Sequence, residues 1–274
     1  MSILEEELPT LCRPTVWFEE DKVLMLDRRT LPDNISYIEL HNYEEVAKAI
    51  EDMVIQGAGS IAIAAGYGIV LTIAQNLDKS PDKILEIVKK AARRLESTRP
   101  TGPHIKRITN LLVSKCEEVL NIGGDVLEEV KRTLQGIVNE RRITAELCGK
   151  YAAELLVDGD TILTHCFPGP ALVYMLLAAK KEGKKVKVFA TETRPYLQGA
   201  RLTCFTLLEA GFDTTLITDN MVGYCMWKGL IKKVFVAADR IALDGSIANK
   251  VGTYIIALAA FHNDVPFYVL GYKC

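Results

Sequence analysis

From Tyr43 onward the apolar residues recur at helical spacing. In "YEEVAKAIEDMVI", Val46, Ile50, Met53 and Val54 share one side while Glu and Lys take the other, the mark of an amphipathic helix. "SIAIAAGYGIVLTIAQNL", "SPDKILEIVKKAARRLES" and "HIKRITNLLVSKCEEVLN" carry the same period, so the stretch from Tyr43 to about Ile122 reads as a helical unit. Ahead of it, "TVWFEEDKVLMLDRRTLPDNISYIEL" alternates apolar and polar positions around turn signals, which predicts short antiparallel strands. Gly123-Gly124 breaks the helices. Beyond it Leu127, Val130, Leu134, Ile137, Leu147, Tyr151 and Leu155 fall near one face of a single long connecting helix. After Asp158-Gly159-Asp160 the rhythm changes to short apolar runs, "TILTH", "KVKVFAT", "TTLIT", "KVFVAA" and "PFYVL", separated by helical segments. That alternation predicts βαβ units and a parallel sheet. The expected fold class is therefore α/β. Residues 1–122 form a small β-element and a helical domain; residues 123–274 form the connecting helix and a doubly wound, Rossmann-like parallel-sheet domain.

Composition narrows the function classes. The chain has 274 residues, 49% hydrophobic and 25% charged, with a formal net charge of -2, which disfavours disorder and a broad nucleic-acid surface. Small-molecule chemistry is the default expectation. The acidic start "MSILEEELPTLC" lacks a basic region followed by an apolar core, so no secretory signal is visible and a cytoplasmic protein is expected. "IAIAAGYGIVLTIA" is shorter than a membrane span, and no membrane association is expected. The cysteines are seven in number and contain no CxxC pair, which argues against a disulfide framework or a clustered zinc site. Four histidines and no HExxH give no case for a metal.

Gly57-Ala58-Gly59-Ser60-Ile61-Ala62 fits a dinucleotide fingerprint, but the segment before it reads as a helix, whereas the fingerprint works only between a strand and a helix. A narrower reading survives: Ser60 caps a helix starting near Ile61, and the free N–H groups there hold one phosphate. Ligands of doubly wound sheets bind beyond the carboxyl ends of the strands, which here carry "HCFPG", "TETRPYLQG", "TDNM" and "ADRIALDG". Cys166 follows the strand "TILTH" and precedes a helix, an environment expected to favour thiolate, whereas Cys148 and Cys204 sit inside helical patterns and read as buried and inert. Asp239 ends the strand "KVFVAA", where partial burial would lift its pKa into a useful acid range. Together the pair suggests proton-transfer chemistry. Glu192, Arg194, Gln198 and Arg201 lie after another strand, Asn249 and Lys250 stand directly before a helix, and Arg99 in "STRPTG" is a candidate phosphate fork. His165 reads as a core or supporting histidine.

"LDRRTLP", "YEEVAKAIEDMVIQGAGSIAIAAGYG", "STRPTG", "ILTHC", "ATETRPYLQGARLT", "LITDNM", "ADRIALDGSIANKVGTY" and "PFYV", in this order, resemble the methylthioribose-1-phosphate isomerase family over nearly the whole chain. The resemblance implies an aldose–ketose isomerase of methionine salvage, converting 5-methylthioribose 1-phosphate to 5-methylthioribulose 1-phosphate as a homodimer without an organic cofactor. It places Cys166 and Asp239 as the catalytic pair, with Gln56, Gly57, Ala58, Arg99, Gln198, Asn249 and Lys250 around the sugar phosphate. Ribose 1,5-bisphosphate or 5-deoxyribose 1-phosphate isomerases and non-catalytic initiation-factor-2B-like subunits are the alternatives within the wider superfamily. The chain also departs from the pattern. Gln56-Gly57-Ala58-Gly59 stands where the family has Arg-Gly-Ala-Pro, losing a cation where phosphate is expected, and Phe167-Pro168-Gly169-Pro170 replaces Asn-x-Gly-Ala. Ala237 replaces a glycine, and relatives continue past "FYVLGYKC".

Overall fold

The structure is a computed structural model that describes residues 8–100 and 103–271. Thr101 and Gly102 of the "STRPTG" motif lie outside the described residues. Among the described residues the chain divides into two compact units, one holding residues 14–141 and the other residues 8–13 and 142–271.

The first unit opens with an antiparallel sheet, ordered β1 (Val16–Glu19), β2 (Lys22–Leu26), β3 (Tyr37–Leu40). Period-two alternation sends Val23 and Met25 of the middle strand fully into the core. Helix α1 (Tyr43–Glu51) starts at a reciprocal cap: Asn42 accepts from the Glu45 N–H at 2.9 Å while Glu45 accepts from the His41 N–H at 2.7 Å. Helix α2 (Ala58–Ala74) carries no charged side chain, and eleven of its residues are buried. An all-apolar helix of this kind must be covered on every side. The flanking helices α3 (Pro81–Ser97) and α4 (Pro103–Ile122) do so, with Leu95 and Ile108 reaching the two sides of α2 where Gly68 and Gly66 leave room.

Helix α5 (Val126–Ala153) is the expected long connector. Its first half buries Val130 and Leu134 in the helical unit. The expected single apolar face does not continue: Leu147, Tyr151 and Leu155 are exposed, and the second half buries Ala145, Ala152 and Ala153 instead. Beyond Arg141 the helix belongs to the other unit and packs into that unit's own core.

The second unit is built on five parallel strands in the order β10-β7-β4-β5-β6, namely Phe267–Leu270, Lys233–Ala237, Thr161–Thr164, Lys187–Thr191 and Thr214–Ile217. Most of their buried residues, among them Leu163, Val188, Val234 and Val236, are β-branched or leucine, as expected for strands covered on both faces. The chain runs outward from β4 to β5 and β6, then returns to lay β7 on the other side of β4. The strand order thus reverses between β4 and β7. Helix α6 (Pro170–Lys181) follows β4; a π-helical turn (Gly199–Cys204) running into α7 (Phe205–Glu209) follows β5; α8 (Val222–Trp227) follows β6. A small hairpin, β8 (Arg240–Ile241) and β9 (Ile247–Ala248), leads into α9 (Thr253–His262). Among the described residues no helix is long and apolar enough to cross a membrane.

Candidate functional site

In open parallel sheets the chain leaves a crevice where strand order reverses, because the connections from the two neighbouring strands depart to opposite faces. Here that point lies between β4 and β7, which pair through Ile162↔Lys233 and Leu163↔Val234. Cys166 stands two residues beyond β4 and Asp239 two residues beyond β7. The fold therefore brings the two sequence-derived candidates to adjacent strand ends.

Asp239 sits at the base of the β8–β9 hairpin, its N–H donating to the Ala248 carbonyl at 2.9 Å. The same hairpin carries Asn249 and Lys250, so three of the expected site residues ride on one small element. Asn249 donates from Nδ2 to Thr253 Oγ1 at 3.1 Å, and Thr253 donates to the Lys250 carbonyl at 2.7 Å. Asp239 is exposed rather than partly buried as the sequence suggested, because β7 ends at Ala237 and the carboxylate opens a surface hairpin.

Cys166 is half-buried and adopts a left-handed backbone conformation, φ 60°. Non-glycine residues pay for that region, so the surroundings must hold it. Thr193 accepts the Cys166 N–H on its hydroxyl oxygen at 3.0 Å, and the Thr203 hydroxyl donates to the Cys166 carbonyl. Thr193 is itself left-handed, φ 63°, and fully buried. It is locked by Asp219, whose two carboxylate oxygens accept the N–H groups of Thr193 at 2.8 Å and Arg194 at 2.7 Å. Neither Thr193, Thr203 nor Asp219 was assigned a role from the sequence. Asp219 was visible only as part of "TDNM" at a strand end.

The charge environment of Cys166 departs from expectation. Burial pushes the thiol above its ordinary value; Lys250 and the Phe167 backbone pull it down, and the carboxylates of Asp239 and Asp219 push it up again. The sequence argued for thiolate from a helix N-terminus, but desolvation outweighs it. These influences also show that Asp239 and Lys250 lie within electrostatic reach of the sulfur. Cys204 is buried and Cys148 only partly so; burial raises both thiols, as their inert reading requires.

His165 is buried and pushed down by desolvation, hence neutral. Its Nε2 faces the Val251 carbonyl at 2.9 Å and must carry the proton, which leaves Nδ1 to accept from the Thr191 hydroxyl at 2.6 Å. The ring packs against Gly252, where a Cβ would come within 3.0 Å of it. It is a core strut, and it borders a cavity of about 380 Å³ with Asp219, Asn220, Gly252, Ile255 and Ile256.

Gln198 is buried, and its Oε1 has no hydrogen-bond partner among the described residues. It precedes Gly199, where any Cβ would collide with the Thr191 carbonyl oxygen, so the π-turn can press onto the end of β5 only through glycine. Arg194 is exposed, whereas Glu192 and Arg201 are half-buried.

In the helical unit, the turn after α1 is a helix-turn-helix junction, as the pattern indicated. Helix α2 starts earlier than expected, with Gly57 at φ 90° in the cap position, so Ser60 is not the cap but lies within the first turn. Its hydroxyl instead accepts from Arg28 Nη2 at 3.1 Å. Gln56 Oε1 and Arg99 Nε are both buried without a hydrogen-bond partner among the described residues. An unpaired buried polar atom costs about 1–3 kcal/mol, so a native fold retains several only where something else pairs them.

The Thr193 hydroxyl generates a sharp expectation. Thr193→Val removes the acceptor for the Cys166 N–H at constant shape and lowers kcat about 10-fold or more with little change in KM, whereas Thr193→Ser retains most of the rate. Steady-state kinetics of the two variants checks it; equal rates would detach Thr193 from the cysteine.

Residues 54–272 match the Initiation factor 2 subunit family. A methylthioribose-1-phosphate isomerase of Thermosipho africanus is 39% identical over 262 residues, covering 93% of this chain and 75% of that protein. The crystal structure of 5-methylthioribose 1-phosphate isomerase from Pyrococcus horikoshii superposes with a TM-score of 0.83 at 31% identity, covering 97% of this chain and 77% of that one. A structure described as translation initiation factor eIF-2B, subunit delta, from A. fulgidus gives a TM-score of 0.80 at 37% identity, covering 96% and 77%. A family match over most of the chain, and relatives this similar over most of their own length, lead to one conclusion: the chain belongs to the methylthioribose-1-phosphate isomerase family within the Initiation factor 2 subunit family.

Proposed function

We propose that the chain is a sugar-phosphate isomerase that converts 5-methylthioribose 1-phosphate to 5-methylthioribulose 1-phosphate, with Cys166 and Asp239 as its proton-transfer pair. The observation that carries this reading is that β4 and β7 pair in parallel, so that Cys166 and Asp239 follow adjacent strand ends at the reversal point of the sheet, with Lys250 just beyond the hairpin that Asp239 opens and both charged groups acting on the thiol. Gln198 and Asn249 line the same strand-end edge as substrate-binding residues, and Gln56, Gly57, Ala58 and Arg99 hold the phosphate.

In an aldose 1-phosphate the anomeric carbon is blocked by phosphate, so the ring C–O bond must break while hydrogen moves from C2 to C1. The half-buried Cys166 thiol and the Asp239 carboxylate offer a proton donor and a proton acceptor for this. Proton transfer from Cys166 to Asp239 gives a thiolate and a carboxylic acid without changing the total charge. Asp239 then protonates the ring oxygen as the C1–O bond breaks. The thiolate takes the C2 proton, forming an enol across C1 and C2. The thiol returns that proton to C1, and Asp239 takes the proton of the C2 hydroxyl, leaving the ketone; a proton passing back from Asp239 to Cys166 restores both groups. Lys250 stabilises the thiolate during the cycle. Unpaired Gln198 Oε1, Gln56 Oε1 and Arg99 Nε supply acceptors and a donor of the kind that hydroxyls and phosphate would satisfy.

The likeness to a structure named as an initiation-factor subunit favours a second reading, a non-catalytic regulatory protein. Turnover separates the two. With methylthioribose 1-phosphate as substrate, Cys166→Ser and Asp239→Asn each lower kcat by at least ~10²-fold while staying folded. Substrate deuterated at C2 loses label to solvent as the shuttled proton exchanges. Near-normal turnover in both folded variants, or an inactive wild-type chain, would sink the assignment.

The family resemblance also implies a homodimer. Tyr254, Ile255, Leu258 and Phe261 form an exposed apolar face on α9, a surface such an assembly would cover. Sedimentation at micromolar concentration should give twice the chain mass, and a monomer would refute the dimer.

A further inference from the structure

The turn assigned to phosphate lacks the cation expected at position 56, yet two guanidinium groups from distant parts of the helical unit reach it. Arg28 is 2% exposed, and its side chain runs beneath the turn. Nη1 donates to the Gln56 carbonyl at 2.5 Å; Nη2 donates to the Ser60 hydroxyl at 3.1 Å and to Thr15 Oγ1 at 3.2 Å. Those contacts bracket the residues whose N–H groups open α2. Nη1 also lies 3.8 Å from where a Cβ at Gly57 would stand. Arg141 approaches from the other side. Its guanidinium occupies the place that a Cβ at Gly59 would fill, so it rests directly against the first turn of the helix. The family's proline at that position would exclude this arrangement, whereas Gly59 permits it. Gln56 Oε1, buried without a hydrogen-bond partner at the same turn, is an acceptor that a sugar hydroxyl would serve and a phosphate dianion would not.

We propose that Arg28 and Arg141 together supply the positive charge of the phosphate turn, replacing the single arginine at position 56 and setting this chain's affinity for phosphate dianions. The proposal rests on the reading of that turn as the phosphate cradle. Arg28 acts as a positioning and charge-bearing residue through the turn, since Nη1 and Nη2, the donors nearest it, are engaged with protein. Arg141 is the more accessible of the two and is the candidate for direct contact. A charge several ångströms from a dianion in a partly desolvated site is worth a factor of 10 or more in binding, which hydrogen bonding alone would not require of a residue below the surface. Gln56→Arg alone then brings no gain in affinity, because the new guanidinium enters a turn that already holds two.

The test is equilibrium binding of inorganic phosphate to the full chain, with turnover of methylthioribose 1-phosphate and far-UV circular dichroism measured alongside. Arg28→Gln and Arg141→Gln each weaken phosphate binding about 10-fold or more and raise KM with kcat largely retained. The Arg28→Gln/Gln56→Arg double variant regains most of the lost affinity by returning a cation to the turn. If Arg28→Gln does not fold, Arg141→Gln carries the test alone. The proposal is overturned if wild type does not bind phosphate, if a folded Arg28→Gln or Arg141→Gln variant binds it as wild type does, or if the folded double variant stays weak. Should the binding pattern hold while no variant and no wild-type chain turns over the sugar phosphate, the charge assignment stands and the isomerase reading falls.

Discussion

The parallel pairing of β4 with β7 is the constraint on which the site depends. Leu163 and Val234 pair across it and are both fully buried. Because the chain leaves β4 toward β5 and comes back to β7 on the opposite side, the two strand ends are neighbours in space but far apart in sequence. A thiol that follows one strand and a carboxylate that follows the other are thereby delivered to the same crevice. Backbone hydrogen bonds and apolar burial, not the polar groups themselves, fix that proximity. The left-handed turn at Cys166 and the hairpin after Asp239 then aim the two groups.

The thiol of Cys166 sits in a balance of burial against opposing charges. Two acids close together cannot both ionise cheaply, and burial makes the thiol the reluctant member. The Cys166 thiol is therefore held against ionisation, and the exposed Asp239 side chain is one of the groups that act on it. Asp219 contributes twice, by clamping the backbone that holds Thr193 against Cys166 and by adding negative charge near the sulfur. Lys250 opposes that charge from the hairpin.

Much of this was legible in the sequence. The 3.6-residue period between Tyr43 and Ile122 gave helices within a few residues of those observed, and the run "TILTH" with "KVFVAA" identified both strands whose ends matter. Position at a strand end sufficed to single out Cys166 and Asp239. What periodicity could not carry is the balance of desolvation against a helix dipole, so the thiol was assigned the wrong direction of shift. It also could not reveal backbone conformation: nothing in "THCFP" or "TETRP" announces a left-handed cysteine held by a left-handed threonine. Ser60 resembled a cap, but Gly57 takes that place because only its positive φ lets the chain turn into α2 at once. Arg28 and Arg141 were invisible as site residues because their link to the glycine turn is tertiary. The exposure of Leu147, Tyr151 and Leu155 escaped the pattern for a related reason, since one helix serves two units and no single face describes it.

The central claim is that Cys166 and Asp239 share one electrostatic environment, and the most direct measurement needs no substrate. The rate of Cys166 alkylation by iodoacetamide, followed as a function of pH on the peptide that contains it, reports the ionisation of that thiol. In the wild-type chain the rate rises only above the ordinary thiol range, because burial and the neighbouring carboxylates disfavour thiolate. Replacing Asp239 by Asn removes one of those negative charges and leaves Lys250 in place, so the account predicts that the midpoint moves to lower pH. A midpoint that stays where it was, or moves upward, in a folded Asp239→Asn chain would contradict it.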